Sequence, residues 1–290
     1  MGSRIGTTRD LGVEDAYQVN LGKGSHYAVA KLHGIGTREE QQDAFGISDN
    51  TLESTKGMLF VLSDGMGGME DGAQCSMRAV VSCLKQFEEE NERMNEELLK
   101  DIAFEANEVV RSYLEESNST GGCTLVVAWV GGKNALWLTI GDSRIYHYQK
   151  QCLFQMNIEH NYGFLLSKKV AEGEITEEEA SRDPQRHALI SYLGMDDDLL
   201  IDTGRLRLEA GERLLLASDG IFGTLAERQM ADAMSYPVEE TMRRFDMLIS
   251  TIKKPYQDNF TALCVEKKEK QKKKRLFSFK KQANQKVKRR

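Results

Sequence analysis

Two stretches of the chain share one pattern, an apolar run that ends in Ser-Asp-Gly. "FVLSDG" covers residues 60–65 and "LLLASDG" covers residues 214–220. A single Asp-Gly pair is more often a turn than a binding site, because both residues favour turn conformations. Two copies, each at the end of an apolar run typical of a buried strand, are difficult to explain as turns. The pattern predicts that two strands each deliver an aspartate, Asp64 and Asp219, to one edge of a sheet structure.

Three further aspartates stand beside predicted strands. Asp142 ends "LWLTIGD", Asp258 precedes "FTALCV", and Asp43 precedes a short apolar alternation. Carboxylates at strand ends converge on one edge of a sheet sandwich, where their mutual repulsion raises their pKa values. A divalent cation resolves that repulsion. Because the cluster offers oxygen ligands without a cysteine or a close histidine pair, it favours Mg²⁺ or Mn²⁺ over Zn²⁺.

The remaining sequence predicts clusters of antiparallel strands separated by helices. Apolar spacing indicates helices over 73–87 and 98–114, with further helices within 230–252. Two hairpins are expected, at 124–140 and at 144–156. Further strands are expected at "RLRL", "ERLLLASDG" and "FTALCVEK". This order favours layered antiparallel sheets over a βαβ parallel sheet. The glycine patterns that bind nucleotide phosphates are absent from the sequence.

Residues 161–186 differ in composition from the segments around them. They have a helical pattern with few apolar positions, and Thr176 followed by Glu179 forms a capping box that predicts a short helix. His160 and His187 bracket this segment. We interpret each of them as a local hydrogen-bonding residue more readily than as a catalyst.

The charge of the chain is divided unevenly. Residues 267–290 carry 13 Lys or Arg and one acid, a net charge of +12. Because the whole chain has a net charge of -6, the other 266 residues carry -18. We expect a disordered basic tail. Alternatives are that it binds an anionic membrane, nucleic acid or the acidic body of the same chain. The two phenylalanines within "RLFSF" (275–279) suit a membrane surface better than a plain linker.

Cysteine usage and hydropathy bear on the compartment. The sequence has no apolar run long enough to span a membrane, and its first residues lack the apolar stretch of a signal peptide. Its cysteines are scattered and form no C-x-x-C pair, which favours a reducing compartment. We therefore expect a cytoplasmic protein, held peripherally at the membrane if the basic tail binds lipid.

Six stretches of the chain, taken in order, resemble the motifs of one family. They are "GTREEQQDAF", "FVLSDGMGG", "TGGCTLVVAWV" with "LWLTIGDSRIYHY", "EGEITEEEASRDPQRHALISYLG", "LLLASDGIF" and "DNFTALCV". Together they resemble the metal-dependent protein phosphatases of the PPM (PP2C) family. The segment "SDGMGG" is similar to that of the bacterial-type members.

The resemblance implies a fold and a domain organisation. The expected fold class is α+β, a four-layer α-β-β-α sandwich with two central antiparallel β-sheets flanked by helices. Residues 27–266 would form the phosphatase domain, with a flap subdomain at about 161–187. Residues 1–26 would be an N-terminal extension and 267–290 the basic tail.

The resemblance also assigns roles to site residues. A centre of two Mn²⁺ or Mg²⁺ ions would be held by four aspartates and one backbone carbonyl: Asp43, Asp64, Asp219, Asp258 and Gly65. Asp142 matches the position of a third, weaker metal, and Arg38 would bind the substrate phosphate. Asp43 and Asp64, together with Arg38, are the residues implied in catalysis.

The implied activity is hydrolysis of phosphoserine and phosphothreonine in proteins by attack of a metal-bridging hydroxide. The C-x₅-R loop of cysteine phosphatases is absent from the sequence. A serine/threonine kinase is a natural substrate to expect, and a monomer the expected oligomeric state. Two alternatives stay open: a phosphoprotein-binding regulatory pseudophosphatase, and a hydrolase of a small phosphorylated metabolite.

The chain departs from the family pattern at two positions. Met66 stands where many eukaryotic relatives have a histidine, and methionine cannot protonate a leaving group. Gly223 stands four positions after Asp219, where the family often has an acid. If that acid assists the third metal, the third site of this protein is weaker than usual.

Overall fold

The computed structural model describes residues 4–6, 17–21, 24–66, 71–196 and 198–269. In chain order its strands are β1 Arg4–Gly6, β2 Gln18–Val19, β3 Tyr27–Gly34, β4 Asp43–Ile47, β5 Met58–Asp64, β6 Leu125–Gly131, β7 Asn134–Ile140, β8 Arg144–Gln149, β9 Cys152–Gln155, β10 Asp202–Arg207, β11 Arg213–Ala217 and β12 Phe260–Lys267. Its helices are α1 Gly72–Glu89, α2 Glu96–Ser117, α3 Tyr162–Ala171, α4 Glu177–Arg182, α5 Asp219–Phe222, α6 Glu227–Ala233 and α7 Val238–Ile252.

The strands form two six-stranded sheets. The first has the order β1-β4-β5-β6-β7-β10 and the second the order β2-β3-β12-β11-β8-β9. Neighbouring strands pair antiparallel throughout. The predicted hairpins are present as β6–β7 and β8–β9.

Strand β5 shows how the layers are packed. Phe60 and Leu62 face the other sheet, where they pack in one cluster with Leu216 of β11. Leu59 and Val61 point the opposite way, into a cluster that α1 and α2 cover. Because both faces of the strand are buried, it reads as a continuous apolar run and not as an alternation.

The outer face of the second sheet is covered in the same manner. Leu215 of β11 packs with Met230 of α6 and with Met242 and Phe245 of α7. The resulting order is helices, sheet, sheet, helices. The predicted α+β four-layer sandwich is therefore confirmed.

The predicted helices begin and end at recognisable signals. The side chain of Asn95 accepts a hydrogen bond from the Leu98 amide and caps α2, and Asn118 ends the same helix in the left-handed conformation. The helical segment 230–252 is divided into α6 and α7, because Pro237 cannot continue a helix but suits the start of the next one.

The segment 161–187 forms two helices, α3 and α4, beside the sandwich. Its predicted capping box is present, with Thr176 and Glu179 each satisfying the other's backbone amide. Leu166 is the buried residue of α3, and α4 has none, so this segment lies largely on the surface.

The ends of the chain relate differently to the two sheets. Within the segment expected to be an N-terminal extension, Arg4–Gly6 pairs with β4 and Gln18–Val19 pairs with β3, so it adds an edge strand to each sheet. At the other end of the chain, β12 ends at Lys267. Most of the basic tail, 270–290, lies outside the described residues. Among the helices that are described, none is both long and apolar enough to cross a bilayer.

Candidate active site

The first sheet brings two predicted aspartates side by side. Asp43 is the first residue of β4 and Asp64 the last of β5, and they are directly opposite each other in the register of the two strands. Opposed residues of antiparallel strands point to the same face, with their Cβ atoms about 5 Å apart. Asp43 is buried and Asp64 is partly exposed, so the pair lies at the rim of the inter-sheet cleft.

The second sheet contributes two more aspartates. Strand β11 ends at Ala217 and helix α5 begins at Asp219, while Asp258 lies two residues before β12. Asp142 belongs to the first sheet, where it follows β7 through the left-handed Gly141. The five aspartates that the sequence placed beside strands are thus gathered at one edge of the sandwich.

The electrostatics confirm that these carboxylates are near one another. Burial and then repulsion by the charges of the other aspartates raise the pKa of Asp64 well above its usual range. Burial, with Asp219 adding to it, raises the pKa of Asp43 and of Asp142 to about 7. Burial and then Asp258 raise the pKa of Asp219 to about 6. Such a cluster of raised carboxylate pKa values is typical of a cation-binding or catalytic site.

Asp43 is held through one of its two oxygens. The hydroxyls of Ser218 and Thr261 both donate to its Oδ2 atom, at 2.8 and 2.6 Å. Its Oδ1 atom is buried and has no hydrogen-bond partner among the described residues. A buried carboxylate oxygen without a partner is costly, and a bound cation would satisfy it.

Arg38 lies at the same edge. Its Nη2 atom is 2.7 Å from Oδ2 of Asp258, and 47% of its side chain is exposed. The preceding loop is fixed to the other strand end, since the amide of Thr37 donates to the Gln257 carbonyl over 2.9 Å. Gly36 passes so close to the carbonyls of Gln257 and Asp258, with φ of +64°, that a side chain would not fit.

Gly65 extends β5 by one residue, in an isolated bridge to Cys123. Its amide donates to the Gln42 carbonyl at 3.0 Å, and a Cβ atom there would collide with the carbonyl of Gly72 at the start of α1. The next residue, Met66, donates its amide to the Gly122 carbonyl. The glycine therefore lets α1 approach the end of β5 closely.

A cavity of about 660 Å³ opens between helix α3 and the carboxylates of Asp142 and Asp219. Its lining includes Asp142, Asp219, Arg186, His187 and Gly223. The other flanking histidine is structural, as the sequence suggested. The buried ring of His160 accepts a hydrogen bond through Nδ1 from the amide of Gly141, one residue before Asp142.

The residues of this edge fit a hydrated divalent cation. The donors are oxygen atoms, the charges repel one another, and one oxygen of Asp43 has no partner. In the portion of the chain that the structure describes, no three acidic, histidine or cysteine side chains surround a common point. Mg²⁺ typically binds one or two carboxylates and keeps several waters, so a looser arrangement suits it.

Sequence reasoning missed the residues that support the aspartates. Ser218 is the serine of the second Ser-Asp-Gly, so the sequence pattern placed it at a strand end. The pattern did not predict its hydrogen bond to Asp43 in the other sheet. Thr261 and His33 lie inside apolar strands and carried no signal. Arg144, with its guanidinium paired to Glu159 at 2.5 Å and stacked 3.9 Å from the Phe222 ring, was seen only as part of a motif.

Comparison with known proteins agrees with this geometry. The sequence profile of the family described as protein phosphatase 2C matches residues 34–256. A serine/threonine phosphatase, stp, of Listeria welshimeri is 29% identical over 239 residues, which cover 79% of this chain and 91% of the relative.

Solved structures have the same fold. The serine/threonine phosphatase Stp1 from Staphylococcus aureus is 25% identical with a TM-score of 0.72, covering 84% of this chain and 96% of its own. The catalytic domain of the phosphatase PstP, solved in complex with two manganese ions, is 24% identical with a TM-score of 0.67, covering 84% and 99%. The chain described here belongs to the protein phosphatase 2C family, as a bacterial-type member.

Proposed function

We propose that this protein is a metal-dependent protein serine/threonine phosphatase that hydrolyses phosphoserine and phosphothreonine. The observation that carries the proposal is the convergence of buried and half-buried aspartates from both sheets, which repel one another, beside the exposed guanidinium of Arg38. The relatives named as serine/threonine phosphatases support the same reaction. A pseudophosphatase is not favoured, because every aspartate of the predicted set is present at the cleft.

Two Mn²⁺ or Mg²⁺ ions would be held by four aspartates and one carbonyl: Asp43, Asp64, Asp219, Asp258 and that of Gly65. When bound, such ions lower the pKa of water to produce a nucleophile and neutralise charge that develops on the phosphate. The free Oδ1 atom of Asp43 supports this assignment. So do the raised pKa values, because burial and mutual repulsion both disfavour the charged carboxylates and a bound cation would offset both.

Arg38 would bind the phosphate group of the substrate. Its planar guanidinium can donate two parallel hydrogen bonds to phosphate oxygens, and its charge does not depend on pH. In the structure it contacts Asp258, a residue of the proposed metal centre. This contact supports the proposed role, because it holds the guanidinium beside an aspartate of the proposed metal centre.

A third ion would bind weakly, between Asp142 and Asp219. Gly223 offers no side-chain ligand there, and its carbonyl accepts a hydrogen bond from the ammonium of Lys254. Burial and Asp258 raise the pKa of Asp219, and the charge of that ammonium opposes part of the rise. A positive charge at this point would compete with a third cation.

Phosphorylated proteins, a serine/threonine kinase among them, are the proposed substrates, and the open cavity beside α3 is the surface that would meet them.

We also propose a monomer in the cytoplasm whose basic tail contacts anionic membrane or nucleic acid. The unpaired thiols among the described residues are consistent with a reducing compartment. Deletion of residues 270–290, which leaves β12 intact, should weaken binding to anionic vesicles or nucleic acid at low salt. Unchanged binding after the deletion would contradict a role for the tail.

The test is phosphate release from a phosphothreonine peptide in the presence of Mn²⁺, with and without a chelator. We expect wild-type activity to be lost with the chelator, and the Asp64→Asn variant to have lost most of it at saturating Mn²⁺. Asp101→Asn, an exposed aspartate on α2, is the matched control and should retain full activity.

Each alternative predicts a different outcome. Activity that persists with the chelator would contradict metal dependence. Folded, metal-loaded protein without turnover would favour the pseudophosphatase. Rapid hydrolysis of small phosphate esters without hydrolysis of phosphopeptides would favour a metabolite as substrate.

A further inference from the structure

His33 is a half-buried histidine outside the predicted site. It lies on β3 directly opposite Thr261 of β12 in the register of the second sheet, and its ring packs edge-on against Phe45, with the ring centres 5.2 Å apart. Its Nδ1 atom is 2.9 Å from the hydroxyl oxygen of Thr261. That same hydroxyl contacts Oδ2 of Asp43 at 2.6 Å. The three residues therefore form one chain of hydrogen bonds that ends at a proposed metal ligand.

The direction of these hydrogen bonds follows from the available protons. Metal binding requires an ionised Asp43, and a carboxylate can only accept. The single hydroxyl proton of Thr261 is therefore donated to Asp43, so Nδ1 of His33 must carry a proton and donate to Thr261. Burial, with a contribution from the charge of Lys31, lowers the pKa of His33 to about 4, so the ring is neutral and has a single N–H.

This tautomer leaves Nε2 of His33 as an acceptor. The Nε2 atom is buried and has no hydrogen-bond partner among the described residues. A leucine or phenylalanine would fill such a position without the cost of an unsatisfied nitrogen. The one polar contact that the ring does make is the contact to Thr261, which indicates that the histidine serves that hydroxyl.

A parallel hydrogen-bond chain reaches the same oxygen. The amide of Thr261 donates to the hydroxyl of Ser218 at 2.9 Å, and Ser218 donates to Oδ2 of Asp43. Both hydroxyls are thus oriented by a donor behind them, and both hold Oδ2. Oδ1 of Asp43 has no such donor among the described residues, which leaves it as the oxygen available to a cation.

We propose that His33 is a positioning residue which, through the Thr261 hydroxyl, fixes Oδ2 of Asp43 and thereby presents Oδ1 to the metal. Outer hydrogen bonds of this kind orient metal ligands and raise affinity. The inference rests on the proposed metal-binding role of Asp43. It assigns His33 no contact with the substrate and no proton transfer.

The test measures Mn²⁺ affinity of the full-length protein by calorimetry, after metal removal with a chelator and dialysis. We expect Thr261→Val to weaken Mn²⁺ binding about tenfold to a hundredfold, and His33→Phe about tenfold. His33→Asn should restore most of the affinity, because its amide N–H can replace the Nδ1 donor. Circular dichroism of the metal-free variants confirms that each one is folded.

Non-additivity separates the hydrogen-bond chain from two independent defects. If His33 acts through Thr261, then His33→Phe should have no further effect in the Thr261→Val background. The matched control is Thr139→Val, because Thr139 is also a fully buried strand threonine but its hydroxyl has no partner among the described residues. This control should bind Mn²⁺ as wild type does.

The outcomes distinguish failure of this inference from failure of the proposed function. Wild-type Mn²⁺ affinity in His33→Phe would overturn the inference alone, as would losses that add in the double variant. Wild-type protein that binds no Mn²⁺ would overturn the proposed centre and the role of His33 with it. Loss in His33→Phe, recovery in His33→Asn and no further loss in the double variant would establish it.

Discussion

The two Ser-Asp-Gly segments are identical in three residues and differ in what their serines do. In "FVLSDG", the hydroxyl of Ser63 donates to the backbone carbonyl of Thr124 at 2.6 Å and joins two neighbouring segments of the first sheet. In "LLLASDG", the hydroxyl of Ser218 crosses from the second sheet to Asp43 of the first. One serine stabilises the fold, whereas the other orients a proposed metal ligand.

The aspartates differ as well. Asp64 is still part of β5 and lies opposite Asp43, whereas Asp219 begins a short helix directly after β11. The glycines, in contrast, have the same purpose. A Cβ atom on Gly65 would collide with the Gly72 carbonyl, and one on Gly220 would collide with the Asn259 carbonyl. The shared pattern therefore reflects close backbone approach at both strand ends, and the side chains before it are free to diverge.

The largest expected effect is that of the second aspartate. Asp219→Asn should lower kcat/KM on a phosphothreonine peptide by at least about a hundredfold, because loss of a metal ligand exceeds the tenfold to hundredfold effect of its outer hydrogen bonds. Steady-state kinetics at saturating Mn²⁺ measure this, with the exposed Asp232→Asn as the control. If activity stays within threefold of wild type, only the first Ser-Asp-Gly segment serves the metals.

The glycines should respond alike. Gly65→Ala and Gly220→Ala should each lower the free energy of unfolding by about 1–3 kcal/mol, because the added methyl overlaps a backbone carbonyl that cannot move away easily. Chemical denaturation of the metal-free protein measures it. Gly211→Ala offers a control with open space around the site but an unfavourable φ of +84°. If only one of Gly65→Ala and Gly220→Ala left the free energy of unfolding unchanged, the two glycines would not serve the same purpose.

The serines should respond differently. Ser218→Ala should weaken Mn²⁺ binding about tenfold, because Asp43 loses one of the donors that hold it. Ser63→Ala should leave Mn²⁺ affinity unchanged and cost about 0.5–1.5 kcal/mol of stability, the net value of one hydrogen bond. Calorimetry and thermal unfolding of both variants test the contrast. Equal loss of metal affinity in the two variants is the result that contradicts it.

The smallest effect concerns pH. The folded metal-free protein has raised pKa values at Asp43, Asp142 and Asp219, of about 7, 7 and 6, against 3.8 as the ordinary value. Between about pH 4 and 7 it binds more protons at these groups than the unfolded chain does. Their contribution to stability therefore increases as pH falls from 8 to 6.

Thermal unfolding in the presence of a chelator measures this contribution. As the pH falls, the melting temperature of Asp43→Asn should rise less than that of wild type. Groups that titrate in this range but lie away from Asp43 cancel in that difference. Added Mn²⁺ should reverse the trend, because cation binding requires ionised carboxylates and is weakened by acid. If the melting temperature of the chelated wild type rises no more than that of Asp43→Asn as the pH falls, the raised pKa values are contradicted.

The positions of the aspartates along the chain were predictable because strand ends are marked by local composition. Asp64 and Asp219 follow apolar runs, and the antiparallel order of the strands brings such ends to common edges. The capping box at Thr176 and the start of α7 after Pro237 are local signals of the same kind. The contact of Arg38 with Asp258, by contrast, joins residues 220 positions apart, and no local pattern encodes it.

Local sequence is enough to locate the charged residues of the site. An apolar run followed by Asp-Gly indicates a buried strand that ends in a carboxylate where two backbone segments pass closely. The neighbours of those carboxylates, by contrast, depend on the three-dimensional packing. Ser63 and Ser218 are indistinguishable in their local sequence, and His33 looks like any polar residue in a strand. Their roles differ because the partner of a buried hydroxyl or imidazole is set by the packing of one sheet on the other, and a hydrogen bond depends on distances that packing alone fixes.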